Sequence, residues 1–309
     1  MSVTVRVPAK VNVQLAVGGA RPDGFHDLAN VFLAVGLYDE VTATPADELT
    51  VTCEGPGAEQ VPLDRTNLAA RAALALAARH GIEPAVHLHI AKDIPVAGGM
   101  AGGSADAAGA LLACDTLWGT NASRAELLDI CAELGSDVPF SLVGGAALGT
   151  GRGERLQTLD VGGTFHWVFA VADGGLSTPA VYREFDRLHE HDDVPEPVAS
   201  PVLLDALAKG DLDALAAFLP GSNGLQPAAL SLFPKLSDTL AEGLAAGALA
   251  ALVSGSGPTT AFLTRDVESA RAVADGLLAS GTCKAARVAA SPAPGATVVQ
   301  RAADQDGQP

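Results

Sequence analysis

Residues 95–108 read Pro95-Val96-Ala97-Gly98-Gly99-Met100-Ala101-Gly102-Gly103-Ser104-Ala105-Asp106-Ala107-Ala108, a glycine-rich loop that leads directly into a helix-forming sequence. Glycine permits backbone conformations in which successive N–H groups turn toward one point. The first turn of the helix adds N–H groups without acceptors and the positive end of the helix dipole. Together they predict an anion-binding site, and phosphate is the usual occupant of such a site.

The surroundings of this loop support a nucleotide site. Val86, Leu88 and Ile90 alternate with polar residues before the loop, which predicts a strand with one buried face. Two well-known phosphate loops do not fit. A P-loop places lysine before the serine, whereas Gly103 precedes Ser104, and the G-x-G-x-x-G pattern of dinucleotide-binding folds is absent. The alternative, a plain strand-to-helix connection, needs only one or two glycines.

Composition narrows the class of protein. The chain has 309 residues, 48% of them hydrophobic, which predicts two domains with a sizeable core. The net charge of −17 argues against nucleic acid or an anionic membrane as partner. No apolar run is long enough for a membrane span, and no signal peptide is recognisable. The four scattered cysteines are typical of a cytoplasmic protein with reduced thiols.

The pattern along the chain predicts a mixed α+β protein. One helix is expected from Asn67 to Arg79, and a capping box of Ser123 and Glu126 begins another. Strands and helices alternate in the second half. The glycine-rich segment 149–153 is interpreted as a bend between the halves. We therefore expect domains at residues 1–156 and 157–298, and a polar, disordered tail at 299–309.

Three segments resemble the motifs of the GHMP kinase superfamily, in the same order. They are Val7-Pro8-Ala9-Lys10-Val11-Asn12, the loop at 95–105, and Val253-Ser254-Gly255-Ser256-Gly257-Pro258-Thr259. The resemblance implies a kinase that uses ATP and Mg²⁺. It also implies a two-domain fold, with an N-terminal ATP-binding α/β domain, a C-terminal ferredoxin-like α+β domain, and the active site in the cleft between them.

Further segments resemble one branch of that superfamily, which phosphorylates the 2-hydroxyl of 4-diphosphocytidyl-2-C-methyl-D-erythritol in the non-mevalonate isoprenoid pathway. They lie at 21–26, 134–140 and 177–182. The implied partner is a small molecule, a cytidine diphosphate-linked polyol, and the protein would be a monomer or a homodimer. Two alternatives remain: another GHMP kinase of the homoserine or phosphomevalonate type, or a non-catalytic nucleotide-binding relative. The non-catalytic relative would be expected to lack Lys10 or Asp137, and both are present.

Lys10 and Asp137 are the predicted catalytic residues. From spacing alone, Asp137 is a helix N-cap, because it follows the helix stop at Gly135 and precedes Pro139. The resemblance instead places it on the catalytic aspartate of the family, with Lys10 as its partner. A neighbouring cation favours the ionised carboxylate, so the pair is expected to position and orient the acceptor hydroxyl.

The resemblance also assigns the substrate site to Asn12, Phe25, His26, Thr178 and Tyr182. His26 would read the edge of the cytosine, while Phe25 and Tyr182 would stack on the base. The alternatives are a turn histidine bonded to the backbone and aromatic rings that pack in the core. With aromatic residues at only 4% of the chain, two at one base site would be a considerable share.

ATP binding is assigned to the loop and to residues near it. The set is Pro95, Val96, Ala97, Gly98, Gly99, Met100, Ala101, Gly102, Gly103, Ser104, Ala105, Lys92, Asn67, Leu68 and Asp106. Lys92 is either a phosphate contact or a surface lysine, and Asn67 is equally suited to be a helix N-cap. Asp106 stands where related enzymes carry asparagine. Ser104 is a candidate Mg²⁺ ligand and otherwise an N-cap.

Overall fold

The computed structural model describes the backbone of residues 2–302 and the side chains of 2–299. The strands are β1 (Ser2–Ala20), β2 (His26–Pro45), β3 (Thr50–Glu54), β4 (Val86–Ala91), β5 (Ala146–Thr150), β6 (Arg155–Leu159), β7 (Phe165–Val171), β8 (Ala250–Val253), β9 (Thr260–Thr264), β10 (Ala285–Ser291) and β11 (Thr297–Ala302). The helices are α1 (Leu68–His80), α2 (Gly102–Trp118), α3 (Arg124–Leu134), α4 (Val138–Val143), α5 (Thr178–Leu188), α6 (Pro201–Lys209), α7 (Leu212–Phe218), α8 (Gln226–Leu232), α9 (Leu236–Ala245) and α10 (Val267–Ser280). No helix in this part of the chain is long and apolar enough to cross a membrane.

The first sheet is built around the two long strands β1 and β2. Its order is β11-β1-β2-β4-β3, with β5 and β6 continuing from β2, and only the β3–β4 pair is parallel. The register of β1 against β2 shifts at Pro8/Ala9 and again between Asn12 and Gln14. Proline cannot donate to a strand ladder, so a bulge at Pro8 is its expected consequence. Lys10 and Asn12 lie between these two shifts and, being two residues apart on one strand, share a face of the sheet.

Helix caps follow the predicted chemistry. Asn67 accepts from the N–H of Ala69 at the start of α1, and Ser123 accepts from Glu126 N–H at the start of α3. Helix α1 ends at Gly81, in the left-handed conformation that favours glycine. Helix α2 packs across β1 and β2, and its buried residues join the main core.

The second sheet has the order β10-β7-β9-β8 and is fully antiparallel. In chain order this is a 4-1-3-2 arrangement with α9 and α10 packed on it, the ferredoxin-like pattern that was predicted. The predicted division at 156/157 falls inside β6, which belongs to the first sheet. The segment 149–153 is the end of β5 and the turn into β6 rather than a bend between the halves.

The end of the described chain returns to the first sheet. Residues 299–302, which the sequence placed in the tail, belong to β11 and pair with β1. Residues 303–309 of the predicted tail lie outside the described residues. The segment that carries the second sheet is therefore enclosed in the chain by strands of the first.

Candidate active site

A cavity of about 690 Å³ lies between the two sheets and is lined from both sides. The first half of the chain contributes Lys10, Asn12, the turn at 24–26, and loop residues 97–99 and 101–104. The second contributes Thr178 and Tyr182 of α5 and the turn at 255–257. The three segments that carried the superfamily resemblance thus meet at one place.

The glycine-rich loop ends in an uncapped helix. Ala101 precedes α2 with φ 63° and provides no side-chain cap, and the first bond into the helix runs from Ala105 N–H to Ala101 O. The N–H groups of residues 102–104 therefore have no acceptor within the helix. Gly103 and Ser104 line the cavity, so the positive end of α2 faces it.

The tip of the loop is held by both halves of the molecule. Gly99 O accepts from Lys10 Nζ at 2.7 Å and from Ser254 Oγ at 3.2 Å. Gly99 has φ +75°, and an added Cβ would lie 2.2 Å from the carbonyl oxygen of Ser254. A side chain at this position would separate the loop from the 254–257 turn, so glycine is required here.

Lys10 and Asp137 lie next to each other in the cavity wall. Lys10 Nζ lies 3.7 Å from Asp137 Oδ2, and Lys10 is buried whereas Asp137 is partly exposed. Burial lowers the pKa of Lys10, although the attraction of Asp137 opposes that effect. Asp137 occupies the N-cap position of α4, but its side chain makes no capping bond, so its carboxylate is left to face Lys10 and the cavity.

A chain of side-chain hydrogen bonds continues from Lys10. Its ammonium donates to Asn12 Oδ1 at 2.7 Å, and Asn12 Nδ2 donates to Asn30 Oδ1 at 2.6 Å. All three residues are buried and line the cavity. The sequence predicted Lys10 and Asn12 but missed Asn30, which lies in a hydrophobic run of β2 and carries no local signal.

The predicted base-binding residues cluster at the other end of the cavity. The rings of His26 and Tyr182 are 5.0 Å apart, and Phe25 is 48% exposed at the rim. His26 Nε2 lies 2.8 Å from Asp186 Oδ1 rather than on a backbone group. Thr178 Oγ1 pairs with Ser256 Oγ at 2.9 Å. Burial, and to a smaller extent Asp137, raises the pKa of Tyr182 well above its ordinary value.

Two arginines that line this cavity were not predicted from the sequence. The Arg152 guanidinium lies 5.0 Å from the centre of the Phe25 ring, and Arg183 of α5 also lines the cavity. Arg152 belongs to the segment interpreted as a bend. With Lys10, these two arginines outnumber the carboxylates of Asp137 and Asp186 in the lining, which suits an anionic ligand in a chain of net charge −17.

Lys92 does not reach the cavity. Its Nζ donates to Asp39 Oδ2 at 2.5 Å and to Asp106 Oδ2 at 2.7 Å, and all three side chains are buried. Asp39 Oδ1 accepts from the N–H groups of Asp93 and Ile94, where the glycine-rich loop begins. The triad of Asp39, Lys92 and Asp106 therefore joins the entry of the loop to the first turns of α2.

The triad places two carboxyl groups against one ammonium group. Burial and the neighbouring Asp39 raise the pKa of Asp106 to about 7, against the attraction of Lys92. Burial alone would lower the pKa of Lys92, but the two carboxylates raise it. Asp106 Oδ1 is buried without a hydrogen-bond partner. Neither Lys92 nor Asp106 lines the cavity.

The remaining predicted ATP residues divide between the cavity and its supports. Asn67 caps α1 and also donates to Pro62 O, and it lies outside the cavity lining, whereas Leu68 is part of that lining. Outside the cavity lining are Pro95, Val96, Met100 and Ala105. Val96 lines a second, smaller cavity of about 270 Å³, to which Ala97 and Gly98 also contribute. The structure thus brings the predicted catalytic pair, most of the loop and the predicted substrate residues to one cavity, and it places Lys92, Asp106 and Asn67 outside the cavity lining.

Within residues 2–299, no group of three His, Cys, Asp or Glu side chains could hold a metal ion. Ser104 lines the cavity at the start of α2. Magnesium usually keeps several waters and binds through substrate phosphates with few protein ligands. The hydroxyl of Ser104 is an oxygen donor of the kind that magnesium accepts.

Comparison with known families agrees with this geometry. The model of the GHMP kinases N terminal domain matches residues 67–145, and that of the GHMP kinases C terminal domain matches residues 203–282. The chain belongs to the GHMP kinase family. The predicted two-domain kinase fold is confirmed.

Individual relatives cover the chain almost completely. The 4-diphosphocytidyl-2-C-methyl-D-erythritol kinase of Streptomyces avermitilis is 87% identical over 299 residues, 97% of this chain and 100% of the relative. The enzyme of the same name from Thermobifida fusca is 58% identical over 306 residues, 96% of this chain and 98% of the relative. A crystal structure of 4-(cytidine 5'-diphospho)-2C-methyl-D-erythritol kinase is similar with a TM-score of 0.75 and 31% identity, covering 94% of this chain and 99% of that one.

Proposed function

We propose that this kinase transfers the γ-phosphoryl group of ATP to the 2-hydroxyl of 4-diphosphocytidyl-2-C-methyl-D-erythritol, in the non-mevalonate isoprenoid pathway. The observation that carries the proposal is the Lys10–Asp137 pair, 3.7 Å apart, in the same cavity as the N-terminus of α2. The high identity to relatives that bear this enzyme's name supports the choice of substrate. We further propose that the protein acts in the cytoplasm.

The nucleotide side of the site is the start of α2. Unpartnered N–H groups at 102–104 and the helix dipole would hold the phosphates of ATP, as helix N-termini do for anions generally. Mg²⁺ bound to those phosphates, with Ser104 as a protein ligand, would neutralise charge during transfer. Lys92 and Asp106 would serve indirectly, because their mutual pairing fixes the shape of the loop.

The chemistry demanded of the side chains is mainly positioning. Phosphoryl transfer needs an in-line arrangement, neutralised charge, and a group that accepts the hydroxyl proton. Asp137 is that acceptor, and the neighbouring Lys10 keeps its carboxylate oriented. Because Lys10 also donates to Gly99 O and Asn12 Oδ1, it fixes the acceptor side of the site relative to the loop.

The substrate side combines an aromatic end and a cationic rim. Phe25 and Tyr182 would stack on the cytosine, His26 would read its edge, and Asn12 and Thr178 would contact the polyol and the nucleoside. The diphosphate between them would meet Arg152 and Arg183, which line the same cavity. His26 is fixed for this role by its contact with Asp186.

The test is a substrate panel with purified protein. ATP-Mg²⁺ is supplied with diphosphocytidyl-methylerythritol, methylerythritol 4-phosphate, homoserine or phosphomevalonate, and ADP release is measured. We expect efficient turnover of the cytidyl substrate alone, since binding energy from the remote base positions the reacting hydroxyl. Equal use of methylerythritol 4-phosphate would refute the cytidine assignment. Turnover of homoserine or phosphomevalonate instead would support the alternative kinases, and no turnover would support the non-catalytic relative.

A further inference from the structure

Asn30 is a buried polar residue that the catalytic scheme above does not use. It lies on β2 opposite Leu15 of β1, is 3% exposed, and lines the cavity. Most of its neighbours along β2 are apolar core residues such as Val31 and Leu33. A buried amide requires hydrogen-bond partners for its oxygen and for its nitrogen.

The orientation of the amides is fixed by Lys10. An ammonium group can only donate, so the atom of Asn12 that it contacts must be the oxygen. Asn12 Nδ2 then donates, and the atom of Asn30 at 2.6 Å must be its oxygen. Asn30 Nδ2 is left with two hydrogens and, within residues 2–299, no protein acceptor. Asn30 Nδ2 is not fully buried, and Asn30 lines the cavity, so this donor opens onto the cavity.

We propose that Asn30 Nδ2 donates a hydrogen bond to a hydroxyl oxygen of the polyol part of the substrate. The proposal rests on the function proposed above and adds a binding residue to the same site. Asn30 is linked to Lys10 through Asn12 by two hydrogen bonds. This donor therefore lies on the Lys10 side of the cavity, where the polyol hydroxyl would react, rather than among the aromatic residues. The same amide, through its oxygen, holds Asn12 in the orientation that Lys10 requires.

Two substitutions separate the two atoms of this amide. Asn30→Asp keeps an oxygen for Asn12 Nδ2 and removes the donor, whereas Asn30→Ala removes both. Asn121→Asp, at an exposed position in the loop after α2, makes the same change of charge away from the cavity and is the control. Thermal melting of each variant verifies that it is folded.

Asn30→Asp is expected to raise KM for the cytidyl polyol about tenfold or more, because a donor is replaced by an anionic oxygen. The KM for ATP should stay within about twofold, since this donor is not part of the phosphate loop. Asn30→Ala should raise the polyol KM and also lower kcat, because Asn12 loses its acceptor. Unchanged polyol KM in Asn30→Asp, or an equal rise for both substrates, would overturn the assignment.

Calorimetric binding of the cytidyl polyol and of CDP to the ATP-free protein completes the test. A loss of affinity in Asn30→Asp for the polyol alone supports a hydroxyl contact, whereas an equal loss for CDP would refute it in favour of the diphosphate. If the wild type binds the polyol but does not phosphorylate it, the proposed function fails while binding still tests Asn30. If the wild type does not bind it, both proposals fail.

Discussion

The buried triad of Asp39, Lys92 and Asp106 should make the free energy of unfolding fall as pH rises toward neutrality, and the substitution Asp106→Asn should remove this dependence. Asp106→Asn keeps the shape of the side chain and an oxygen for Lys92, but it cannot ionise. In the wild type, burial and Asp39 raise the pKa of Asp106 from the ordinary 3.8 to about 7. In the unfolded chain the same carboxyl ionises near its ordinary value.

The sign follows from proton binding. Between about pH 4 and pH 7 the folded state holds a proton at Asp106 that the unfolded chain has lost, so stability falls as pH rises through this window. Above about pH 7 the full cost of the buried charge is present, about 4 kcal/mol at the ordinary value of 1.36 kcal/mol per pH unit. Asp106→Asn removes this cost.

The variant also introduces an amide nitrogen where Asp106 Oδ1 now lies without a partner. An unpartnered buried donor costs about 1–3 kcal/mol, but it costs the same at every pH. The test is therefore the change with pH rather than the stability at one pH. When the pH is raised from about 5 to about 8, we expect the free energy of unfolding of Asp106→Asn to rise by about 2–3 kcal/mol relative to that of the wild type.

Urea unfolding followed by circular dichroism at both pH values measures the effect. Asp129→Asn, at an exposed position on α3, makes the same change of charge and is the control. It should respond to pH as the wild type does. If Asp106→Asn behaves like the control, then the buried carboxylate is not destabilised at neutral pH and the reasoning from burial fails.

Three further predictions concern the cavity. Asp137→Asn should lower kcat about 10²-fold or more with little change in the KM for ATP. The double variant with Lys10→Met should lose far less kcat than the product of the two single losses, because the two residues act as a unit. Steady-state kinetics measure both effects, and a loss in the double variant equal to that product would contradict the prediction. Tyr182→Ala should weaken cytidyl substrate binding about tenfold to a hundredfold, as expected for lost base stacking, whereas Tyr182→Phe should retain it; calorimetry measures both. Gly99→Ala should raise the KM for ATP and lower the melting temperature, because its Cβ would meet Ser254 O at 2.2 Å; wild-type values would show that the loop tip tolerates displacement.

Local chemistry made much of this structure predictable. The caps at Asn67 and Ser123 and the stop at Gly81 each act within a few residues, and each is found as expected. The family resemblance predicted the meeting of Lys10 with Asp137, which lie far apart in the chain.

Partners distant in sequence were the part that could not be predicted. Nothing near Lys92 shows that Asp39 and Asp106 will enclose it, so the sequence left it as a phosphate contact or a surface lysine and did not predict its buried ion pairs. Asn30 was missed because its importance comes from Asn12 on the adjacent strand. Likewise, β11 pairs with a strand at the opposite end of the chain, and its own sequence gave no sign of that partner.

The pairing of β11 with β1 has a topological consequence. Ser2 lies opposite Ala302, so the two ends of the described chain are neighbours on one sheet. The polypeptide between β6 and β11 forms the second sheet and its helices, and the chain connects it to the first sheet at both of its ends. Joining the ends and opening the chain at Gly247, in the turn between α9 and β8, would give a circular permutant with the same neighbours at every cavity residue.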